Sequence, residues 1–306
     1  MAQNYLIAVV GPTAIGKTPM AIALAKHFKT EIVSADSRQF FKELTIGTAV
    51  PSEEELKSVP HHFIQHISIF QPYSVGDFER EAIQLLERLF VSQKVVIMVG
   101  GSGLYLDSVI KGLDNFPPVP PGIRQQLEAR LSVEGIGVLQ EELRRLDPDY
   151  HAKVDLQNPH RLIRALEVSL ETGQPYSSFL KAEGRKRSFK VLTIGLTAAR
   201  EIIYERINRR VDSMLDKGLL EEVKSLYPFR NLNALQTVGY KELFGFLEGI
   251  VDLDTAVSDI KKNTRRFAKR QMTWFRKQED ILWTDYRQPP EKTINTIEGI
   301  IHGAES

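Results

Sequence analysis

A phosphate-binding loop is the clearest chemical feature of this sequence. Gly11–Thr18 reads GPTAIGKT and matches the spacing G-x-x-x-x-G-K-[ST]. Glycines let backbone amides curl around an anion, the following helix adds the positive end of its dipole, and Lys17 supplies a point charge. The Thr18 hydroxyl is placed to bind a Mg²⁺ ion carried by the phosphates. The loop therefore predicts a site for a diphosphate or triphosphate, with the candidate residues Gly11, Pro12, Thr13, Ala14, Ile15, Gly16, Lys17 and Thr18.

Two further polar residues follow predicted strands. Asp36 comes just after Glu31–Ser34, and Ser102 comes after Val95–Val99, which runs into glycines rather than an acid. A nucleotide hydrolase usually needs an acid at the end of such a strand, so hydrolysis is disfavoured. Because the carboxyl ends of parallel strands share one edge, we expect Asp36, Ser102 and the phosphate loop to surround one crevice. From the residues alone, Asp36 is a water-linked Mg²⁺ ligand, a general base or a helix cap.

Short apolar runs that alternate with helical patterns must position these residues. Tyr5–Val10, Glu31–Ser34 and Val95–Val99 are predicted strands. Apolar residues at helical spacing predict helices at Thr18–Phe28 and Val75–Phe90. Strands separated by helices imply a parallel sheet with right-handed crossovers. We therefore expect an α/β fold, with a P-loop NTPase-like parallel sheet flanked by helices.

A proline-rich segment divides the chain. Gly112–Gly122 holds four prolines in eleven residues and precedes a polar helical stretch from Ile123 to about Leu180. Val191–Leu196 then resembles a strand, so we expect the chain to return to the first sheet. From Arg200 onward the pattern is helical. The predicted organisation is an α/β core at 1–121 and 189–285, a small helical insertion domain at 122–188, and a loose tail at 286–306.

Two polar segments suggest contact with a polyanion. Lys261–Lys277 carries eight basic residues and no acid, although the whole chain has a net charge of only +1. Such a concentration on one helix makes an anion-binding surface, and nucleic acid is the natural large polyanion; the alternative is a solvated face. Ser34–Ala49 is a long polar stretch whose Asp, Arg and Gln side chains suit contacts with base edges. Its alternative is an ordinary surface loop.

Composition excludes several classes of protein. Hydrophobic residues make up 42% and charged residues 26% of the 306 residues, which excludes a disordered chain, a collagen and a coiled-coil rod. No apolar run approaches the roughly 20 residues of a membrane helix, and the N-terminal segment lacks a secretory pattern. The absence of cysteine excludes disulfides and Cys-ligated metals. We expect a cytoplasmic protein. Zinc at His61, His62 and His66 is disfavoured because no further ligand is evident.

Taken in their order along the chain, these motifs resemble those of the tRNA dimethylallyltransferase family, also called tRNA isopentenyltransferases. The similarity runs from the phosphate loop to about Trp283. The segments that carry it are Gly11–Thr18, Ser34–Ala49, Pro60-His61-His62, Tyr73-Ser74-Val75, Gly100–Tyr105, Asn158–Val168, Gln236–Leu243 and Thr264–Arg276. The resemblance implies transfer of a dimethylallyl group from dimethylallyl diphosphate to the exocyclic amine of an adenosine. In bacterial members this adenosine lies immediately 3′ of the anticodon in tRNAs that read codons beginning with U, and the product is isopentenyladenosine.

The resemblance also implies roles for individual residues. Asp36 matches the family's catalytic general base, and Ser102 stands where the family usually has threonine. The phosphate loop, Mg²⁺ at Thr18 and Arg210 would hold the diphosphate leaving group, and the target base would be flipped into a channel. We expect the enzyme to act as a monomer. The implied tRNA contacts are Asp36, Ser37, Arg38, Gln39, Ser102, Arg124, Gln157, Arg161, Gln236, Gly239, Tyr240, Arg265, Arg266, Lys269, Arg270 and Arg276.

Two other functions remain open on the sequence. A small-molecule or nucleoside kinase would use the same loop for ATP and the insertion as an arginine-bearing lid. That reading leaves the basic helix at Lys261–Lys277 unexplained. A nucleotide-switched RNA-binding module would explain the helix but leaves Asp36 and Ser102 without a role.

Overall fold

The computed structural model describes residues 3–180 and 186–303 in two compact units. The first unit is formed by 1–111 together with 187–306, and the second by Gly112–Lys186. Residues 1–2 of the predicted core, 181–185 of the predicted insertion domain and 304–306 of the predicted tail lie outside the described residues. No helix of the described chain is long and apolar enough to cross a membrane.

A parallel sheet of six strands is the centre of the first unit. The strands are β1 (Asn4–Val10), β2 (Ile32–Ser34), β3 (His61–His62), β4 (Val95–Val99), β5 (Phe189–Thr197) and β6 (Ile281–Asp285), in the spatial order β3-β2-β4-β1-β5-β6. Val9 and Ser34 both register with Val99, so β1, β2 and β4 end at the same level. This confirms the predicted α/β fold with a P-loop NTPase-like sheet. The four strands expected from sequence are all present, within two residues of their predicted bounds.

Helices cover both faces of the sheet. In the first unit they are α1 (Lys17–Phe28), α2 (Glu53–Ser58), α3 (Val75–Leu89) and α4 (Gly103–Ile110), followed after the insertion by α9 (Arg200–Asp216), α10 (Leu219–Leu226), α11 (Tyr240–Leu247), α12 (Leu253–Phe275) and α13 (Pro290–Gly303). Alternate side chains of β1 point to opposite faces. Ile7 and Val9 pack with Leu24 of α1, whereas Leu6 and Ala8 pack with α3 and α4.

A separate apolar cluster holds α9 to α12 together. Leu219, Val223 and Leu243 are fully buried there, and Leu44 of the segment after β2 joins them. The segment that follows β2 is therefore attached to the C-terminal helices as well as to the sheet.

The second unit is helical, as expected. It contains α5 (Pro121–Glu134), α6 (Ile136–Leu146), α7 (Pro148–His151) and α8 (Pro159–Thr172). Leu139, Leu143 and Leu166 form its buried core, and Phe116 packs against this core. The unit starts at Gly112 rather than at the predicted residue 122, because the proline-rich segment packs with the helices instead of acting as a free linker.

Two predictions for the C-terminal region are wrong. Ile281–Asp285 is the edge strand β6, whereas the sequence pattern from Arg200 onward predicts helices up to the tail. The expected loose tail contains α13, whose Ile294, Ile297 and Ile301 are buried in the core cluster that also contains residues of α1. Three isoleucines at helical spacing form an apolar face, which explains why this segment folds.

Candidate functional site

The phosphate loop lies between β1 and α1, where the sequence predicts it. Gly11 has φ +143°, and a Cβ at this position would lie 2.7 Å from the carbonyl oxygen of Leu196. Gly16 is the residue before α1 and has φ +107°. Both backbone conformations favour glycine, which explains the two fixed positions of the motif. The free amides at the start of α1 therefore face an anion-binding concavity.

Three charged side chains interact at this loop. Lys17 Nζ donates to the carbonyl oxygen of Pro12 at 2.8 Å. Burial lowers the pKa of Lys17 to about 8; the Asp36 carboxylate opposes this shift, and Arg210 adds to it. Burial also lowers the pKa of Arg210, and Asp36 again opposes the shift. The structure thus brings together Lys17, Asp36 and Arg210, and an anion bound here would relieve the repulsion between the two cations.

Asp36 and Ser102 meet at the ends of β2 and β4. Asp36 Oδ1 accepts a hydrogen bond from the Arg38 N–H at 3.2 Å, which closes a local turn. Ser102 precedes α4 but forms no side-chain cap to that helix. Its hydroxyl instead accepts from the Ser37 N–H at 3.3 Å and lies 3.2 Å from the Ser37 hydroxyl. Ser102 is therefore tied to the segment that carries Asp36.

One cavity of about 770 Å³ joins these elements within the first unit. The predicted site residues that line it are Thr13, Asp36, Ser37, Arg38, Ser102, Arg210, Gln236, Gly239, Arg266 and Arg270. The expected crevice is present, and its walls extend to α9, α11 and α12. A second cavity of about 420 Å³ on α12 is lined by Arg266, Lys269, Arg270, Thr273, Trp274 and Lys277.

Gln39 and Tyr240, both expected to contact nucleotides, make side-chain hydrogen bonds within the protein. Gln39 Nε2 donates to the carbonyl oxygens of Thr48 and Ala49 at 3.2 and 2.9 Å, so its side chain braces its own loop. Tyr240 is fully buried, and its hydroxyl donates to Glu222 at 2.6 Å. The Tyr240 side chain is therefore held by a partner inside the protein, and a contact of this residue with RNA stays a prediction. Aromatic burial under the loop explains its place in the QTVGYKEL motif.

The basic helix α12 presents its charges on different sides. Arg266 and Arg270 line both cavities, and Lys269 lines the second. Arg265 is not among the residues that line these two cavities: its guanidinium donates to Asn208 Oδ1 at 2.8 Å and lies over a tyrosine ring of α9. Arg276 follows the last residue of α12 and is exposed outside both cavities. The eight basic residues therefore lie in different surroundings, and the choice between an RNA-binding surface and a solvated face stays a prediction.

The predicted RNA-contacting residues of the second unit fall into two groups. Gln157 lies just before the start of α8, Arg161 lies in its first turn, and both are exposed. Arg124 makes a two-pronged ion pair with the buried carboxylate of Glu167, at 2.9 and 3.0 Å, and Arg164 approaches the same carboxylate at 2.6 Å. Arg124 thus has a structural partner inside its own unit.

The histidines make local contacts. His62 Nε2 lies 2.6 Å from a Glu31 oxygen, and His61 Nδ1 lies 2.8 Å from the Val59 carbonyl oxygen. The His66 ring packs edge-on against Phe40. In residues 3–180 and 186–303, no group of three or more His, Asp or Glu side chains is arranged to hold a metal ion.

Three residues near the site were not predicted. Arg206 Nε donates to the Ala14 carbonyl oxygen at 2.7 Å and so supports the phosphate loop. Glu222 accepts hydrogen bonds from the loop after β2, and Gln271 joins two loops of the cavity wall. Their contacts join distant segments of the chain, and the local sequence does not indicate them.

The chain is similar to known proteins over nearly its whole length. The family model described as IPP transferase matches residues 39–278. A tRNA dimethylallyltransferase from Christiangramia forsetii is 58% identical over 98% of this chain and 99% of its own length. The tRNA isopentenylpyrophosphate transferase of Bacillus halodurans has a crystal structure with a TM-score of 0.72 and 37% identity, covering 98% of this chain and 96% of that one. A eukaryotic dimethylallyltransferase acting on tRNA gives a TM-score of 0.78 at 28% identity, over 92% of this chain and 74% of that one. Its sequence and its fold therefore place this chain in the IPP transferase family, among the prenyl-transferring enzymes.

Proposed function

We propose that this protein transfers a dimethylallyl group from dimethylallyl diphosphate to the exocyclic amine of the adenosine immediately 3′ of the anticodon. The tRNAs are those that read codons beginning with U, and the product is isopentenyladenosine. The observation that carries the proposal is one cavity that joins the phosphate loop, Asp36 and Ser102 to the basic residues of α12. The names of the relatives supply the donor group and the acceptor class. The enzyme acts as a cytoplasmic monomer.

The phosphate loop and two cations hold the leaving group. The amides at the start of α1, Lys17 and Arg210 bind the diphosphate and offset the charge that grows on it as the allylic C–O bond breaks. The Thr18 hydroxyl at the start of α1 is an oxygen ligand that fits Mg²⁺, which commonly takes one or two protein oxygens plus substrate phosphates. When bound, Mg²⁺ supplies further positive charge to the diphosphate.

Asp36 removes the proton of the nucleophile. The adenine amine is weakly nucleophilic because its lone pair is delocalised into the ring. As the nitrogen bonds to C1 of the dimethylallyl group, the C–O electron pair leaves with the diphosphate and the amine proton passes to Asp36. Ser102 keeps a hydroxyl beside this position and, through its bond to the Ser37 N–H, helps to orient the segment that carries Asp36.

RNA binds around the mouth of the cavity, with the target adenosine flipped out of its stack. Ser37, Arg38, Gln236 and Gly239 contact nucleotides near the reacting base, and Gln39 supports their loop. The residues that bind phosphate are Arg265, Arg266, Lys269, Arg270 and Arg276. The contacts proposed for the insertion are Arg124, Gln157 and Arg161. Phosphate contacts of this kind position the RNA without reading its sequence.

The experiment is an incubation with Mg²⁺, labelled dimethylallyl diphosphate and tRNA lacking the modification, with and without ATP. We expect label at the adenosine beside the anticodon, equally in both samples. A control tRNA with guanosine at that position is expected to stay unlabelled. Consumption of ATP with a small-molecule acceptor and no label in RNA would indicate a kinase. Nucleotide hydrolysis without RNA modification would indicate a switch, and either result would refute the proposal.

A further inference from the structure

Gln271 is a polar side chain in the buried face of α12. It is 6% exposed, and the other buried residues of this helix, Ala256, Ile260, Ala268 and Phe275, are apolar or small. Burying an amide costs free energy unless its oxygen and nitrogen are hydrogen-bonded. A residue of this kind therefore stays in place through its specific partners.

Those partners lie on two different loops of the cavity. Gln271 Oε1 accepts from the Thr13 N–H of the phosphate loop at 2.8 Å. Gln271 Nε2 donates to the carbonyl oxygen of Gly101, in the loop after β4, at 2.9 Å. A Cβ on Gly101 would lie 2.2 Å from that nitrogen, so a larger residue at 101 would displace the Gln271 amide. Thr13 and Gly101 both line the cavity that holds Asp36.

The cations next to Gln271 on α12 line the same cavity and a second one. Arg266 and Arg270, five and one residues before Gln271, line the cavity that contains Gln271, Thr13 and Gly101, and together with Lys269 they also line the second cavity. One helix therefore carries both the proposed RNA-binding cations and a direct hydrogen bond to the phosphate loop. A shift of about 1 Å in the helix is enough to break a hydrogen bond of ordinary length.

We propose that Gln271 is a positioning residue that couples RNA binding on α12 to diphosphate binding at the phosphate loop. The inference rests on the proposed function. RNA phosphates on Arg266, Lys269 and Arg270 fix the position of the helix, and Gln271 follows the helix backbone. Its hydrogen bond to the Thr13 N–H then holds the phosphate loop, so that the amides after Thr13 are in place for the diphosphate. By linkage, bound diphosphate strengthens RNA binding by the same factor.

Two substitutions test this coupling against a matched control. Gln271→Met keeps the length of the side chain and removes both hydrogen bonds. Gly101→Ala displaces the Gln271 amide from the opposite side and serves if the first variant fails to fold. The control is Gln278→Met, because Gln278 Nε2 donates to Asp107 Oδ1 at 3.0 Å, joining the end of the same helix to α4 without touching the phosphate loop.

The measurement is the Kd of inorganic pyrophosphate with Mg²⁺, by titration calorimetry, with and without saturating anticodon stem-loop RNA. We expect RNA to lower this Kd roughly tenfold in the native protein and in Gln278→Met. We call the ratio of the pyrophosphate Kd without RNA to that with RNA the coupling factor. In Gln271→Met and Gly101→Ala we expect this coupling factor to fall to about one, while the Kd for RNA alone changes less than about twofold. A helix-packing role alone would leave the coupling factor unchanged.

The coupling is refuted if Gln271→Met keeps the coupling factor of the native protein. It is also refuted if the native protein prenylates RNA but has a coupling factor of one. In both cases the proposed function stands. Failure of the native protein to bind or prenylate RNA refutes the proposed function itself, and the coupling with it.

Discussion

Glu222 is expected to anchor the loop that follows β2. Its Oε2 accepts from the Ile46 N–H at 2.7 Å and from the Thr45 N–H at 3.2 Å. Its Oε1 accepts from the Gly47 N–H at 3.0 Å and from the Tyr240 hydroxyl at 2.6 Å. Gly47 lines the cavity, and a Cβ there would lie 2.6 Å from the Tyr240 ring. Loss of the carboxylate therefore removes the common anchor of the loop and the aromatic side chain beneath it.

The expected cost follows from these four contacts. A hydrogen bond to a charged group contributes about 1.5–3 kcal/mol net. The bond from Thr45 is exposed, so water replaces it, and bonds that share one acceptor are not additive. We expect Glu222→Ala to lower the free energy of unfolding by about 3 kcal/mol and Tyr240→Phe to lower it by about 1 kcal/mol.

Urea denaturation of the two single variants and the double variant measures these values. In the Glu222→Ala background, Tyr240→Phe is expected to cost almost nothing, which gives a coupling energy of about 1 kcal/mol. The control is Glu221→Ala, because Glu221 is exposed and its ion pair to Lys224 spans 3.7 Å; its effect should stay within about 0.5 kcal/mol. The reasoning fails if Glu222→Ala is indistinguishable from Glu221→Ala.

Three further predictions concern the charges and the C-terminal helix. Burial lowers the pKa of Lys17 to about 8, so its amine is charged below that pH and neutral above it. The affinity for pyrophosphate, measured by calorimetry, should therefore fall as the pH rises through about 8. Lys17→Arg should remove this loss because arginine keeps its charge. Replacing both Arg266 and Arg270 by alanine should weaken binding to RNAs of any sequence and reduce the salt slope by about 1.5, whereas an unchanged slope would make these residues a solvated face. Ile297→Ala should lower the free energy of unfolding in urea by about 2–4 kcal/mol because Ile297 is fully buried, and a change below about 0.5 kcal/mol would argue against the packed α13.

The sequence predicts the sheet centre and the phosphate loop because their signals are local. β1 and β4 are continuous apolar runs, and the glycines at 11 and 16 are required by the backbone at those positions. The crevice follows from one general rule, since strands of a parallel sheet end at a common edge. By contrast, β6 was missed because it is short and its Leu282 and Trp283 remain partly exposed at the sheet edge, so no buried run marks it.

The supporting residues of the site depend on contacts between distant segments. Gln271 and Thr13 are 258 positions apart, and Glu222 and Ile46 are 176 positions apart. Nothing in either local sequence indicates the partner. Tyr240 lies in a segment that resembles the family's, but the motif does not indicate that its side chain is buried and donates to Glu222. A motif thus identifies the residues that matter more readily than it identifies what each one contacts.

The central claim is that the Asp36 carboxylate takes the amine proton while the phosphate loop retains the leaving diphosphate. The most direct measurement is the single-turnover rate of dimethylallyl transfer to bound tRNA in Asp36→Asn, with the Kd for tRNA determined on the same protein. Asparagine keeps the size and accepts the turn hydrogen bond from Arg38 but has no basic oxygen. The account predicts a rate lowered at least about 100-fold, with the Kd changed less than about threefold. A native rate, or a loss of tRNA binding that explains the whole defect, would contradict it.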